Sequence, residues 1–116
     1  MKKNNSKIYL SANNSDLSLV TDGYYLQLGE SGSNDAIRLF KLDNSSATEI
    51  CAGTIGQISS SFDVSIKVTR NISGDWSLYT DFSGSQNYTL QSTSNDASNL
   101  LGNNFGVLCN YTSSNA

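Results

Sequence analysis

The sequence predicts an all-β fold, a two-sheet antiparallel β-sandwich. Short runs of alternating apolar and polar residues recur along the chain, with the period of a strand that has one dry and one wet face. Clusters of Asn, Asp, Ser and Gly separate these runs at roughly the 8–12-residue spacing of sandwich proteins. No stretch sustains the 3.6-residue period of an amphipathic helix. A single sheet of such strands would leave one apolar face in water, so two sheets packed face to face are expected.

The clearest stretch is 63–82. Val64, Ile66 and Val68 alternate with Asp63, Ser65, Lys67 and Thr69. The turn formers Arg70 to Asp75 follow, with Gly74 free to take a positive φ. Trp76, Leu78 and Thr80 then share one face, and Ser77, Tyr79 and Asp81 the other. Two such runs joined by a short polar loop predict a hairpin.

The remaining elements follow in order. Lys7–Ala12 is a first strand with Ile8 and Leu10 on one face. The stretch 16–20 is too short for a stable helix and suits a single 3₁₀ turn. Asp22-Gly23 feeds a strand at 24–30, with Tyr24, Leu26 and Leu28 on one face and Tyr25 and Gln27 on the other. The strand at 36–42 is apolar on both faces and is expected to be central. A turn at 43–46 leads to a strand at 47–53. Strands at 86–92 and 104–112 complete the set, and the polar segment 92–99 between them is expected as a loop. Alternation assigns Ile37, Leu39, Val64, Ile66, Val68, Trp76, Leu78, Phe105 and Val107 to the core.

At 116 residues the chain makes one domain. Residues 1–6 are expected as a disordered start, 7–112 as the sandwich and 113–116 as a fraying tail. The seven Lys and Arg residues are scattered and the net charge is −3, which argues against nucleic acid as a partner. No apolar run approaches the ~20 residues of a membrane-spanning helix, so no membrane insertion is expected. Lys2 and Lys3 begin like a signal peptide, but Asn4, Asn5 and Ser6 stand where its apolar region should be. With no histidine, every catalytic or metal arrangement that needs imidazole is excluded.

The segments GYYLQLGESGSNDAIRLFKLD, TEICAGTIG, VSIKVTRNISGDWSLYTDFSGSQNYT and NFGVLCNYT together resemble a bacterial concanavalin A/laminin G-like jelly-roll module. The resemblance runs from about Ile8 to Thr112 and rests on the order of these blocks. It implies a lectin-like jelly-roll sandwich, secreted or on the cell surface. The chain departs from such modules in lacking their leading strand and their closing strand rich in Phe and Asp. The resemblance does not fix a ligand, because this fold carries many functions.

Glucanases on this fold place a nucleophile and an acid/base close together on one strand. Here Glu30 and Glu49 are far apart in sequence and the aspartates sit mostly in turns. No catalytic set is therefore expected, and no cofactor. Asp35 with the carbonyls of Ser31–Asn34, or Asp43 with Asn44, offers oxygen ligands for calcium, but neither loop has the alternating spacing of a calcium site. Turn capping explains the same residues, and no metal site is assigned. Tyr25 and Tyr79 fall out of phase with their core neighbours and are the candidate ligand-binding aromatics. If the chain is exported, its two cysteines, Cys51 and Cys109, are expected to form a disulfide.

The functional expectation is a non-catalytic accessory module recognising a glycan or another cell-surface component. The second expectation is a structural, protein–protein module that associates through open sheet edges as a homodimer. Its basis is an edge with few guards: the chain has no proline, and 104–112 carries no charge.

Overall fold

The computed structural model of the chain describes residues 5–29, 35–58, 63–98 and 102–110. Eight strands are present among them: β1 (Asn5–Ala12), β2 (Gly23–Leu28), β3 (Ile37–Asp43), β4 (Ser46–Ala52), β5 (Ser65–Arg70), β6 (Asp75–Asp81), β7 (Thr89–Asn95) and β8 (Asn104–Asn110). They form a five-stranded sheet in the order β4-β3-β2-β1-β8 and a three-stranded sheet in the order β5-β6-β7. Every pairing is antiparallel. The result is the all-β two-sheet sandwich that the alternation predicts.

Local chemistry sets the turns. Between β3 and β4, Asn44 and Ser45 both take positive φ, at 49° and 67°, the signature of a two-residue hairpin turn whose twist matches its strands. The Asn44 amide also donates to Asp22 Oδ1 at 2.8 Å. Between β5 and β6, Asn71 Oδ1 accepts from the amides of Ser73 and Asp75 at 3.0 and 2.9 Å, and Gly74 sits at φ 82°. A 3₁₀ turn at Leu17–Leu19 is capped by Asp16, whose carboxylate accepts from the Ser18 amide.

The core between the sheets gathers Tyr24, Leu26, Ile37, Leu39, Cys51, Ile58, Trp76 and Leu78. Val64, Ile66 and Val68 pack against it while remaining half-buried. Tyr24 and Trp76 hold their ring centroids 4.6 Å apart across the sandwich. A polar clasp ties the layers together at this end. The Ser98 carbonyl accepts from the Tyr24 hydroxyl at 2.6 Å and from Arg70 Nη2 at 2.8 Å. Lys41 Nζ meets Asp96 Oδ2 at 2.8 Å, and the Trp76 indole N–H donates to the Asp96 carbonyl at 3.2 Å.

Phe105 and Val107 depart from expectation: they are 71% and 57% exposed. Their side chains do lie on the inner face, as the alternation predicts. Val107 lies opposite Ile8, which belongs to the inner face of the five-stranded sheet. What fails is coverage. The three-stranded sheet sits over β4, β3 and β2 and stops at β5, so β8 overhangs it.

The expected bridge between Cys51 and Cys109 is likewise corrected. Cys51, on β4, is a buried free thiol. β4 and β8 are the two outer strands of one sheet, with three strands between them. At about 4.8 Å per strand spacing their backbones lie roughly 19 Å apart, far beyond disulfide reach.

Smaller differences concern boundaries. β1 begins at Asn5, inside the expected disordered start, while the expected tail lies outside the described residues. β7 begins three residues later than 86 and runs to Asn95, into the expected loop. The reason is the 81–88 connection, where Asp81 gathers Ser83 and Gln86 into a longer loop.

Candidate binding cleft

The two tyrosines singled out from sequence have different fates. Tyr25 is 4% exposed and so is not the open platform expected. It lies on the outer face of the five-stranded sheet, which has an apolar cluster of its own. Tyr9, Ala12, Tyr25 and Leu42 are buried there, with Leu17, Val20, Phe40 and Leu108 packed around them. Tyr25 stacks on Phe40 at 5.2 Å, and Lys7 Nζ lies 5.0 Å from its ring centroid. The segment after β1 folds back over this face through Leu17 and Val20. Burial pushes the Tyr25 hydroxyl pKa up, and neighbouring Tyr9 adds to the shift.

Tyr79 is half-buried on the outer face of the three-stranded sheet, directly opposite Lys67. The Lys67 ammonium sits 4.4 Å from the Tyr79 ring centroid and 5.1 Å from that of Tyr88. A cation already engages both rings, which leaves less open ring surface for stacking a ligand. Tyr25 and Tyr79 lie on opposite outer faces of the sandwich and do not form one site.

A different group of residues does converge. Gln57, Thr80, Asp81, Phe82, Ser83, Ser85, Asn87, Thr89 and Gln91 line a cleft of about 450 Å³. It opens where the β4–β5 connection meets the loop between β6 and β7. Asp81 organises the loop wall. Its Oδ1 accepts from the Ser83 amide at 2.8 Å and from the Ser83 hydroxyl, and its Oδ2 accepts from the Gln86 amide at 2.8 Å. The Ser83 hydroxyl bond leads the effects that hold the Asp81 carboxyl below its ordinary pKa, followed by the Ser83 amide.

From Asp81 the polar chain continues outward. The Ser83 and Ser85 hydroxyls are 2.6 Å apart, and Asn87 Nδ2 donates to Ser85 Oγ at 2.9 Å. On the other wall the Thr54 hydroxyl donates to Gln91 Oε1 at 3.1 Å. Gln57 Oε1 is buried in the same cleft with no hydrogen-bond partner among the described residues. Phe82, 37% exposed, supplies an apolar surface beside these groups.

Sequence reasoning missed this cleft because its residues are ordinary loop formers. The one local signal was the density of hydroxyls and amides between Asp81 and Gln91. Gln57 arrives from a connection more than twenty positions away, and only the fold brings it in.

Ser31–Asn34 lie outside the described residues, and Asp35 is buried at 4% exposure. Asp43 is exposed at the end of β3, and Asn44 shapes the hairpin turn. Among the described residues no three His, Cys, Asp or Glu side chains gather as a metal site. Glu49 pairs with Arg38 at 2.9 Å on the sheet surface, while Glu30 lies outside the described residues. No helix among the described residues is long and apolar enough to cross a membrane. No family model, no curated protein and no solved structure matches the chain.

Proposed function

We propose that the chain is a non-catalytic accessory module that binds carbohydrate, with the cleft between Gln57 and the 80–91 segment as its site. The observation that carries this reading is the lining. Three amide side chains and four hydroxyls converge on one opening, and a buried amide oxygen there lacks a donor. Amides and hydroxyls both donate and accept, which matches a neutral ligand dense in hydroxyl groups. Phe82 offers a ring for the C–H face of a sugar. The resemblance to concanavalin A/laminin G-like jelly-roll modules supports the same class of ligand, and with it a secreted or cell-surface setting.

A glycan array, run with and without calcium and followed by titration calorimetry on the hits, tests the proposal. Neutral oligosaccharides should bind in both conditions. Asn87→Ala and Gln91→Ala should each weaken binding at least tenfold without moving the melting temperature. An array without hits overturns the reading. So does binding lost on Tyr79→Ala but unaffected by the two cleft substitutions, because that places the ligand on the outer face instead.

A further inference from the structure

The overhang of β8 is one side of an open apolar shelf. The other side is β5. Leu10 and Leu26 from the five-stranded sheet, with Ile66, Val68 and Trp76 from the other, line a groove of about 410 Å³ between the layers. Beyond it Phe105 and Val107 continue the same inner face along β8, largely exposed. Among the described residues no strand pairs with the free side of β5 or of β8. Two unpaired edges and an uncovered apolar face therefore meet at one place. The sequence guards it weakly. β8 carries no charge, the chain has no proline, Lys67 of β5 is turned to the outer face against Tyr79 and Tyr88, and Arg70, which lines the groove at the end of β5, is held by the Ser98 carbonyl and the Trp76 ring.

We propose that this shelf receives a second copy of the chain, related by a two-fold axis that runs along the strands midway between the layers. Such a rotation exchanges the layers. It sets the three-stranded sheet of one copy in line with the five-stranded sheet of the other. Each β8 then lies beside the β5 of the second copy, and the two overhanging β1–β8 shelves cover one another. Both layers become eight-stranded, with five strands from one copy and three from the other.

Strand direction agrees with this arrangement. The C-terminal ends of β1 and β5 lie together, since Leu10, Ser11, Val68 and Arg70 line the same groove. β5 thus runs with β1, and β8 runs against β1. A rotation about an axis along the strands preserves direction, so β8 meets the other copy's β5 as an antiparallel pair. A lone extended peptide would satisfy β5 but leave Phe105 and Val107 in water. A second copy covers both because its overhang has the same width as the gap, and the contact is closed by symmetry.

Sedimentation equilibrium at tens of micromolar tests the proposal. The protein should run at twice its 12.5 kDa chain mass. Val107→Lys and Phe105→Lys, on side chains that are already exposed, should weaken association at least tenfold while leaving the far-ultraviolet circular dichroism unchanged. Ile72→Lys, on the fully exposed β5–β6 turn, should remain dimeric. Hydrogen exchange at rising protein concentration should add protection at β5 and β8 together. A monomeric wild type overturns the inference, as does a dimer insensitive to both β8 substitutions. Concentration-dependent protection confined to β4 or β7 also overturns it, as does an open-ended series of larger assemblies.

Discussion

Leu78 has no exposed surface, whereas Ile66 and Val68 keep part of theirs at the rim of the groove. Truncation of Leu78 leaves a cavity inside the core cluster that it shares with Trp76, Leu39 and Cys51. Leu78→Ala should therefore cost about 2–5 kcal/mol, and Ile66→Ala should fall below it, because the rim can relax and water can enter. Val107→Ala should change the monomer by less than ~0.5 kcal/mol, as an exposed surface position does. Urea unfolding at protein concentrations too low for association would rank the three; a Val107 effect as large as that of Leu78 would mean that β8 is covered in the monomer. Alternation made the direction of all three side chains legible. It could not report whether anything lay above them, since that depends on how many strands the opposite sheet contributes. Tyr25 is the converse case. It was out of phase with the main core, yet a second cluster under Leu17 and Val20 buries it.

Among the elements, the hairpins were legible because their signals are local. Asn71, Gly74 and Asp75 sit within a few residues of one another, and Asn44-Ser45 turns β3 into β4 with two consecutive positive φ angles. Gly74 adds a tertiary constraint that no local signal carries. A Cβ there would lie 2.6 Å from Ala97 Cα, at a φ of 82° that L residues rarely adopt. Gly102 is a purely tertiary case, since its missing side chain lets the entry to β8 approach the Ala12 carbonyl. Gly74→Ala should destabilise by more than the roughly 1–2 kcal/mol of a left-handed residue, because the clash is with backbone. Gly102→Ala should instead loosen β8 selectively. Hydrogen exchange separates the two: Gly74→Ala speeds exchange throughout β5 to β7, and Gly102→Ala speeds it in β8 first. The cleft was illegible for the same reason as Gly102. Its amides are contributed by separate connections, and nothing in the spacing of Gln57, Asn87 and Gln91 announces that they meet.

At the scale of the whole molecule, the clasp around Asp96 and Ser98 decides how the two sheets hold together as pH changes. Two ion pairs invite comparison. Arg38–Glu49 lies on the surface with the Glu49 side chain 44% exposed, and such pairs contribute only about 0–1 kcal/mol. Lys41–Asp96 is more enclosed, at 20% and 13% exposure, and it joins β3 to the segment after β7. Burial on its own raises the Asp96 pKa, but the hydrogen bonds from Lys41 and Ser98 outweigh it and hold the carboxyl below its ordinary value. The same bond, led by Asp96, raises the Lys41 pKa. In acid the unfolded chain takes up its proton at Asp96 first, so the pair's contribution is full above the ordinary carboxylate pKa of about 4 and fades as pH falls through the lowered folded value. In alkali the contribution is full below the ordinary lysine pKa of about 10.4 and fades as pH rises through the raised folded value. Lys41→Met removes the largest of the effects that oppose burial, so the Asp96 pKa should move upward, toward its ordinary value. The stability gap between wild type and Lys41→Met should accordingly be widest near neutral pH and narrow below about pH 4. Arg38→Met should show a small gap at every pH. Urea unfolding of the three proteins at pH 7 and pH 3 measures both gaps; a Lys41→Met gap that is the same at the two pH values would mean that the clasp is held by the Ser98 carbonyl bonds and not by the charge pair.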